Sequence, residues 1–167
     1  MDTDKILKNC EKNLGEGRAV ATGIEVFAHI TIGGEILVRK RTEQGSITGQ
    51  DLSGKWELIG GAVRLEDFDE SYQSAIFKTL KRRLMEEAGL ELVSLPDPIL
   101  VLPAWHGKDG LIDMAFTVYI SWEAVKETPK FDALLDEGKI RLVLASDVKN
   151  LKIISPRMEF MIKMAYI

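Results

Sequence analysis

The sequence contains a single cysteine, Cys10, in its 167 residues, so an internal disulfide bond is impossible. A chain without disulfides is typical of a reducing compartment. The first ten residues carry acidic side chains and lack the apolar run of a secretory signal. We therefore expect the protein to reside in the cytoplasm.

Long apolar segments and an excess of positive charge are also absent. No run of about 18 apolar residues occurs, which excludes a membrane-spanning helix and gives no reason to expect a membrane partner. Lys and Arg number 22 against 26 Asp and Glu, for a net charge of −4, whereas nucleic-acid binding requires a basic field. The expected partner is therefore a small molecule.

The composition that remains is that of one ordinary globular domain. Hydrophobic residues make up 46% of the chain and charged residues 29%, which is close to the average for soluble proteins. A chain of this length fits one domain, here residues 1–167. It is long enough to bury a hydrophobic core without disulfide bonds or a structural metal.

Two adjacent segments have the pattern of a β-hairpin. Residues 24–32 alternate in the two-residue period of a strand. Gly33-Gly34 supplies the positive φ angles of a tight turn, and residues 35–41 return as the partner strand. Residues 42–54 are polar and rich in glycine, which predicts a loop. Residues 55–63 again have the pattern of a strand.

The clearest helix is predicted from about residue 69 to residue 88. Apolar residues recur there every fourth position and form one stripe along the helix, and Gly89 is well placed to end it. The stripe consists of Tyr72, Ile76, Leu80, Leu84 and Ala88.

Shorter elements complete the predicted domain. Helices are predicted at about 3–14 and 155–167, the second opened by Ser155-Pro156 with Phe160 and Met161 facing inward. Proline and glycine signals place Trp105 and His106 in a loop. Strands are predicted at 90–95, 99–102, 111–120 and 140–145. This order of strands and helices indicates an α+β or mixed α/β fold.

The segments ILVRKR, GKWELIGGAV and RRLMEEAGL together resemble the Nudix hydrolase family, over roughly residues 24–145. The family signature is G-x5-E-x7-R-E-U-x-E-E-x-G-U, where U is aliphatic. Its second half aligns without gaps on residues 82–90, and the glycine pair preceding it aligns on Gly60-Gly61. Ile59 stands where the family usually has proline.

The resemblance implies an α/β/α sandwich with a mixed sheet and hydrolysis of a nucleoside diphosphate linked to another moiety. Mg²⁺ or Mn²⁺ would neutralise the phosphates and generate the attacking hydroxide, and carboxylates on one helix face would bind the metal. Family members are often homodimers. The residues implied are Glu86, Glu87 and Arg82 for catalysis, Arg39, Gly60, Gly61 and Trp105 for substrate, and Glu86, Glu87 and Glu70 for metal.

Two departures from the signature bear on activity. Arg83 occupies the position of a family glutamate, and a guanidinium cannot be a metal ligand or a base. Gly61 and Arg82 are 21 residues apart, whereas the signature places them 14 apart. If Glu70 is the first motif glutamate, the surplus divides into a longer loop and about one helical turn.

Two functions remain open at this point. The first is a metal-dependent hydrolase with a degenerate box, in which a carboxylate other than residue 83 completes the site. The second is a catalytically silent module of the same fold that binds a nucleotide-like ligand or a protein partner. In that case a bridge from Arg83 to Glu86 or Glu87 replaces the metal.

Overall fold

The computed structural model describes residues 21–42, 51–68, 71–95, 101–108 and 111–164. For Tyr72 and for residues 21–23, 101–108 and 111–114 it describes the backbone alone. The helix predicted at 3–14 and the acidic residue Glu70 lie outside the described residues.

Within these ranges four strands precede the first helix, four more lie between it and the second, and one strand separates the second helix from the third. The strands are β1 (Ala21–Ile32), β2 (Glu35–Lys40), β3 (Trp56–Glu57), β4 (Ile59–Arg64), β5 (Leu90–Leu92), β6 (Val101–Lys108), β7 (Leu111–Ser121), β8 (Val125–Glu127) and β9 (Ile140–Leu144). The helices are α1 (Tyr72–Ala88), α2 (Pro129–Asp136) and α3 (Pro156–Lys163). No helix within the described ranges is long and apolar enough to cross a membrane.

The main sheet is mixed, because its central strand β1 pairs in parallel with β7 and antiparallel with β2 and β4. Its order is β3-β2-β1-β7-β6, with β4 beside β1 and β9 beside β2. Strands β5 and β8 form a separate two-stranded sheet. The predicted combination of strands and helices in a mixed α+β architecture is confirmed.

Helices cover both faces of the main sheet. On one face the α1 residues Ile76, Leu80, Leu84 and Ala88 form a core with Val26, Ala28 and Ile30 of β1. On the other face Phe27 of the same strand belongs to a second core, which includes Met158 of α3. Because β1 is covered on both sides, residues that sequence alternation assigns to a polar face are buried as well; His29 is an example.

Both ends of α1 are fixed by local contacts. The Ser71 hydroxyl accepts a hydrogen bond from the Ser74 N–H (3.1 Å) at the first turn. Gly89 ends the helix in the left-handed conformation at φ +66°, with no room for a Cβ against the Phe131 backbone. Lys130 donates to the Glu86 carbonyl oxygen (2.7 Å), which satisfies a carbonyl of the last turn. The end of α1 is therefore held in place by α2.

Three sequence predictions need correction. Trp105 and His106 lie in strand β6 rather than in a loop, and the strand runs through Pro103 and Gly107. Proline is compatible with β6 because this strand lies at the end of the sheet path and, among the described strands, pairs only with β7. Helix α2 was not predicted, although Thr128-Pro129 has the pattern of a helix start. Phe160 does not face inward, since it is 55% exposed.

The packing of α1 predicts a sharp contrast between neighbouring residues. Leu84 is fully buried, whereas Met85 is 39% exposed. We expect Leu84→Ala to lower the free energy of unfolding by about 2–5 kcal/mol because it leaves a cavity. The control Met85→Ala should change it by about 0.5 kcal/mol. Urea denaturation measures both, and equal losses would contradict this packing.

His29 predicts a pH dependence of stability. Its Nε2 lies 3.2 Å from the Ile162 carbonyl oxygen, and burial lowers the pKa of the imidazole below its ordinary 6.5. The folded protein then binds fewer protons than the unfolded chain, so stability should fall as the pH drops below about 6.5. Urea denaturation across this range should show a steeper pH dependence for the wild type than for His29→Gln; parallel curves would rule out this role.

Candidate functional site

A network of ion pairs joins β2, β3 and α1 beside the glycine pair of β4. We call the five residues Arg39, Arg41, Glu57, Arg83 and Glu87 the arginine–glutamate network. Each of these arginine side chains is between 20% and 26% exposed, while the two carboxylates are almost fully buried. Buried charges of this kind persist only where opposite charges and hydrogen bonds compensate them.

Glu87 is the centre of the network. Its Oε2 accepts a hydrogen bond from the Gly60 backbone N–H at 3.2 Å and lies 3.2 Å from Arg39 Nε. Its Oε1 accepts from Arg83 Nη1 at 3.2 Å. Burial raises the pKa of Glu87 above its ordinary value, and the charges of Arg39 and Arg83 and the Gly60 N–H act in the opposite direction. Both carboxylate oxygens therefore already have cationic partners.

Glu57 is the second buried carboxylate. Strand pairing places it directly opposite Arg39, whose Nη2 lies 2.5 Å from Glu57 Oε1. Arg41 Nη1 donates to Glu57 Oε2 at 3.1 Å. Arg39 thus bridges Glu57 and Glu87 across the two strands and the helix. Sequence reasoning did not identify Glu57; the available signal was a carboxylate between Trp56 and Leu58 in an apolar strand.

Arg83 lies over the backbone of Gly61. A Cβ built on Gly61 would sit 3.1 Å from Arg83 Nη2 and 3.3 Å from its Cζ. A Cβ on Gly60 would sit 2.2 Å from the Val26 carbonyl oxygen, which is sterically impossible. Both glycines also have positive φ angles, +154° and +148°. The glycine pair therefore allows β4 to approach β1 on one side and the Arg83 guanidinium on the other.

Glu86 is placed differently from Glu87. Its side chain is 50% exposed and its Oε2 lies 3.6 Å from Arg83 Nη1 and 3.9 Å from Arg82 Nη1. Successive helix residues are separated by about 100°, so one member of the pair turns toward the glycines and the other toward solvent. The structure brings Glu87 to the glycine pair and leaves Glu86 at the rim of the network.

Arg82 points away from the network toward Asp67. Its Nη2 lies 3.2 Å from Asp67 Oδ2, which also accepts from the Thr79 hydroxyl (2.9 Å) and the Arg64 N–H (3.0 Å). Burial by itself raises the pKa of Asp67, but these two hydrogen bonds and the charge of Arg82 lower it below its ordinary value. Asp67 thus fastens the segment before α1 to the helix.

The contact between Arg82 and Asp67 suits a different alignment of the chain with the signature. Asp67 follows Gly61 by six residues, the spacing of the first motif glutamate, and pairs with the motif arginine. Asp67 thus has both the spacing and the arginine contact expected of that glutamate, while the metal-binding role predicted for Glu70 stays a prediction. The whole surplus of seven residues then lies between Asp67 and Arg82, about two helical turns, rather than being divided between loop and helix.

The residues present do not fit the divalent metal that the family resemblance implies. The Arg83 guanidinium can only donate hydrogen bonds. Its Nη1 lies 3.2 Å from Glu87 Oε1, which leaves this oxygen less available to a metal. Among the described residues, no group of three or more His, Cys, Asp or Glu side chains is arranged to hold a metal ion. Mg²⁺ prefers an octahedron of hard oxygen ligands, and the arginine–glutamate network provides compensated carboxylates instead.

For the two remaining predicted site residues, Trp105 and Glu70, the structure describes no side chain. Trp105 lies in β6, paired with Met114 of β7, and its side chain is not described. Glu70 lies outside the described residues. The structure therefore brings together Arg39, Gly60, Gly61 and Glu87 of the predicted set, places Glu86 at their edge and directs Arg82 to Asp67.

Comparison with known proteins identifies the fold. The sequence matches no family model and no curated protein. The structure resembles a Nudix hydrolase from Nitrosomonas europaea, with a TM-score of 0.61, 14% identity and coverage of 86% of this chain and 87% of the other. It also resembles a MutT Nudix hydrolase from Burkholderia pseudomallei, with a TM-score of 0.54, 17% identity and coverage of 84% and 95%.

A third similar structure is the bifunctional NMN adenylyltransferase/ADP-ribose pyrophosphatase from Francisella tularensis, in complex with AMP and a manganese ion. Its TM-score is 0.55 at 14% identity, over 98% of this chain and 45% of the larger protein. At these identities the likeness concerns the fold. The chain has the Nudix fold, and the resemblance read from its sequence is confirmed at that level.

The contacts of Asp67 predict a role in stability. Asp67→Ala leaves the Thr79 hydroxyl and the Arg82 guanidinium without their acceptor, so we expect a loss of about 1–3 kcal/mol in the free energy of unfolding at neutral pH. Because the pKa of Asp67 is lowered on folding, its contribution is present above the ordinary 3.8 and disappears as the pH falls through the folded value.

Urea denaturation of wild type and Asp67→Ala at neutral and acidic pH measures this difference. Glu66→Ala is the control, because Glu66 is 58% exposed and pairs only loosely with Arg64. The two proteins should converge in stability at acidic pH. A difference between wild type and Asp67→Ala that does not depend on pH would contradict the assigned role of the carboxylate.

Proposed function

We propose that this Nudix-fold chain binds a small nucleotide-like ligand through its diphosphate, beside Gly60-Gly61, and does not hydrolyse it by the family's metal-dependent mechanism. The observation that carries the proposal is the position of Arg83, whose guanidinium lies over Gly61 and on Glu87 Oε1. A cation is thus built into the place where the family resemblance implies a metal-ligating carboxylate.

The network retains donors for an anion. The Nε atoms of Arg41 and Arg83 are buried and have no hydrogen-bond partner among the described residues. Unsatisfied buried donors are costly, and a guanidinium presents its donors in a planar fork that matches phosphate oxygens. Arg39, Arg41 and Arg83 keep between 20% and 26% of their side chains exposed, and a phosphate group bound at these exposed atoms would add acceptors to the network.

The charge pattern of the site supports binding more than catalysis. Metal-assisted hydrolysis of a diphosphate uses carboxylates to hold a cation that polarises phosphate and water. Here both oxygens of Glu87 are engaged by Arg39 and Arg83, and Glu86 is shared between Arg82 and Arg83. The proposed roles are phosphate binding for Arg39, Arg41 and Arg83 and positioning for Glu57 and Glu87.

A second candidate is a weak metal-dependent hydrolase, favoured by the names of the structural neighbours, among them a pyrophosphatase bound to AMP and manganese. It requires Mg²⁺ or Mn²⁺ on Glu86 and Glu87, a further carboxylate such as Glu70, and displacement of Arg83. Trp105 would remain a candidate for stacking on the base. A homodimer and a cytoplasmic location also remain predictions.

Calorimetric titration and phosphate-release assays distinguish the two candidates. ADP-ribose, a sugar nucleotide and a dinucleoside diphosphate are each tested with EDTA and with Mg²⁺ or Mn²⁺. We expect at least one ligand to bind without release of phosphate or nucleoside monophosphate. Turnover of many ligand molecules per protein molecule in the presence of metal would contradict the proposal and establish the hydrolase.

Substitution of Arg39 locates the binding site. We expect Arg39→Ala to weaken binding by about tenfold or more, because it removes a charge-assisted contact and releases both buried carboxylates. The control is Arg157→Ala, since Arg157 is 22% exposed, like Arg39, and forms a single ion pair with Glu25. Equal effects of the two substitutions would remove the arginine–glutamate network as the binding site.

A further inference from the structure

We infer that the arginine–glutamate network binds its diphosphate ligand in the metal-free form, so that Mg²⁺ weakens binding instead of supporting it. This inference rests on the proposed function, because it specifies the ionic state of the ligand bound at the same site. It reverses the sign of the metal effect that the family resemblance implies.

The charges around Glu87 do not favour a divalent cation. Three guanidinium groups surround two buried carboxylates, Glu57 and Glu87. Among the described residues, the only other carboxylate within 4 Å of an arginine of the network is Glu86, which is half exposed and also lies near Arg82. The buried part of the site is therefore not negatively charged, and a divalent cation gains no attraction from it.

The negative charge of the ligand is what Mg²⁺ would remove. Each phosphate of a diphosphate diester carries a negative charge, as backbone phosphates of nucleic acids do, and this charge is what attracts Arg39, Arg41 and Arg83. A bound Mg²⁺ cancels that charge. The complex of ligand and metal then has little electrostatic affinity for arginines, whereas the free anion has a strong one.

Mg²⁺ and the arginines of the network compete for the same phosphate oxygens. Mg²⁺ binds diphosphates through non-bridging phosphate oxygens at short distances and keeps its remaining positions filled with water. Those oxygens are also the acceptors that the partly exposed guanidinium groups of Arg39, Arg41 and Arg83 would use. An oxygen that ligates the metal is a poorer acceptor for a guanidinium, and the metal with its water shell would lie against the positive charge of Arg83.

The decisive test measures the sign of the Mg²⁺ effect on binding. ADP-ribose and a dinucleoside diphosphate, both diphosphate diesters, are titrated calorimetrically into the full chain, once with EDTA and once with excess Mg²⁺, with ionic strength matched by NaCl to remove general screening. We expect the dissociation constant to be about tenfold larger with Mg²⁺, the effect of losing one or two charge-assisted contacts.

Substitutions at position 83 test whether this residue sets the sign. Arg83→Glu introduces a carboxylate beside Glu87, so we expect Mg²⁺ to strengthen binding to this variant. Arg157→Glu is the matched control, with the same change of charge outside the network, and binding should still weaken with Mg²⁺. If Arg83→Glu does not fold, as judged by circular dichroism, Arg83→Gln replaces it and should lose most of the preference for the metal-free ligand.

The outcomes separate this inference from the proposed function. Tighter binding of either ligand to the wild type with Mg²⁺ overturns the inference but leaves a ligand-binding site. The same Mg²⁺ effect in the wild type and in Arg83→Gln overturns the role of Arg83. Failure of both ligands to bind with EDTA and with Mg²⁺ overturns the inference and removes the support for a diphosphate site altogether.

Discussion

The geometry of the site depends on one buried carboxylate, Glu87, and on the three groups that hold it. The Gly60 N–H and the guanidinium groups of Arg39 and Arg83 all lie 3.2 Å from its oxygens. These contacts tie α1 to β4 and β2 at one point. Burial of a carboxylate is costly unless it is compensated, so removing any of these partners changes the shape of the site as well as its charge.

The same arrangement explains how a Nudix fold accommodates an arginine at position 83. The positive-φ glycines leave the face of β4 bare, and the planar guanidinium of Arg83 occupies that space while it pairs with Glu87. Two structural neighbours of this fold are named as hydrolases. In the function that we propose for this chain, the fixed guanidinium of Arg83 takes the place of a metal ion. A fixed cation can bind and orient an anion, but it cannot carry a water nucleophile.

Sequence reasoning located most of the fold and part of the site. The apolar stripe of α1 with its spacing of four residues, the Gly33-Gly34 turn and the helix end at Gly89 follow from local chemistry. The signature placed Glu87 near the glycine pair. Contacts between residues far apart in the sequence were harder to predict. The spacing of six residues from Gly61 already pointed to Asp67, but its pairing with Arg82 and Thr79 across the start of α1 became evident only in the structure. Glu57 was missed because its role depends on the pairing of β3 with β2.

A crystal structure obtained after soaking with Mn²⁺ tests the account most directly, since it reveals the position of the Arg83 guanidinium and any metal by anomalous scattering. The account predicts Arg83 Nη1 on Glu87 Oε1 near the 3.2 Å described above, with no anomalous peak beside Glu86 or Glu87. A manganese ion bound by these two carboxylates, with Arg83 swung away from Gly61, would contradict it.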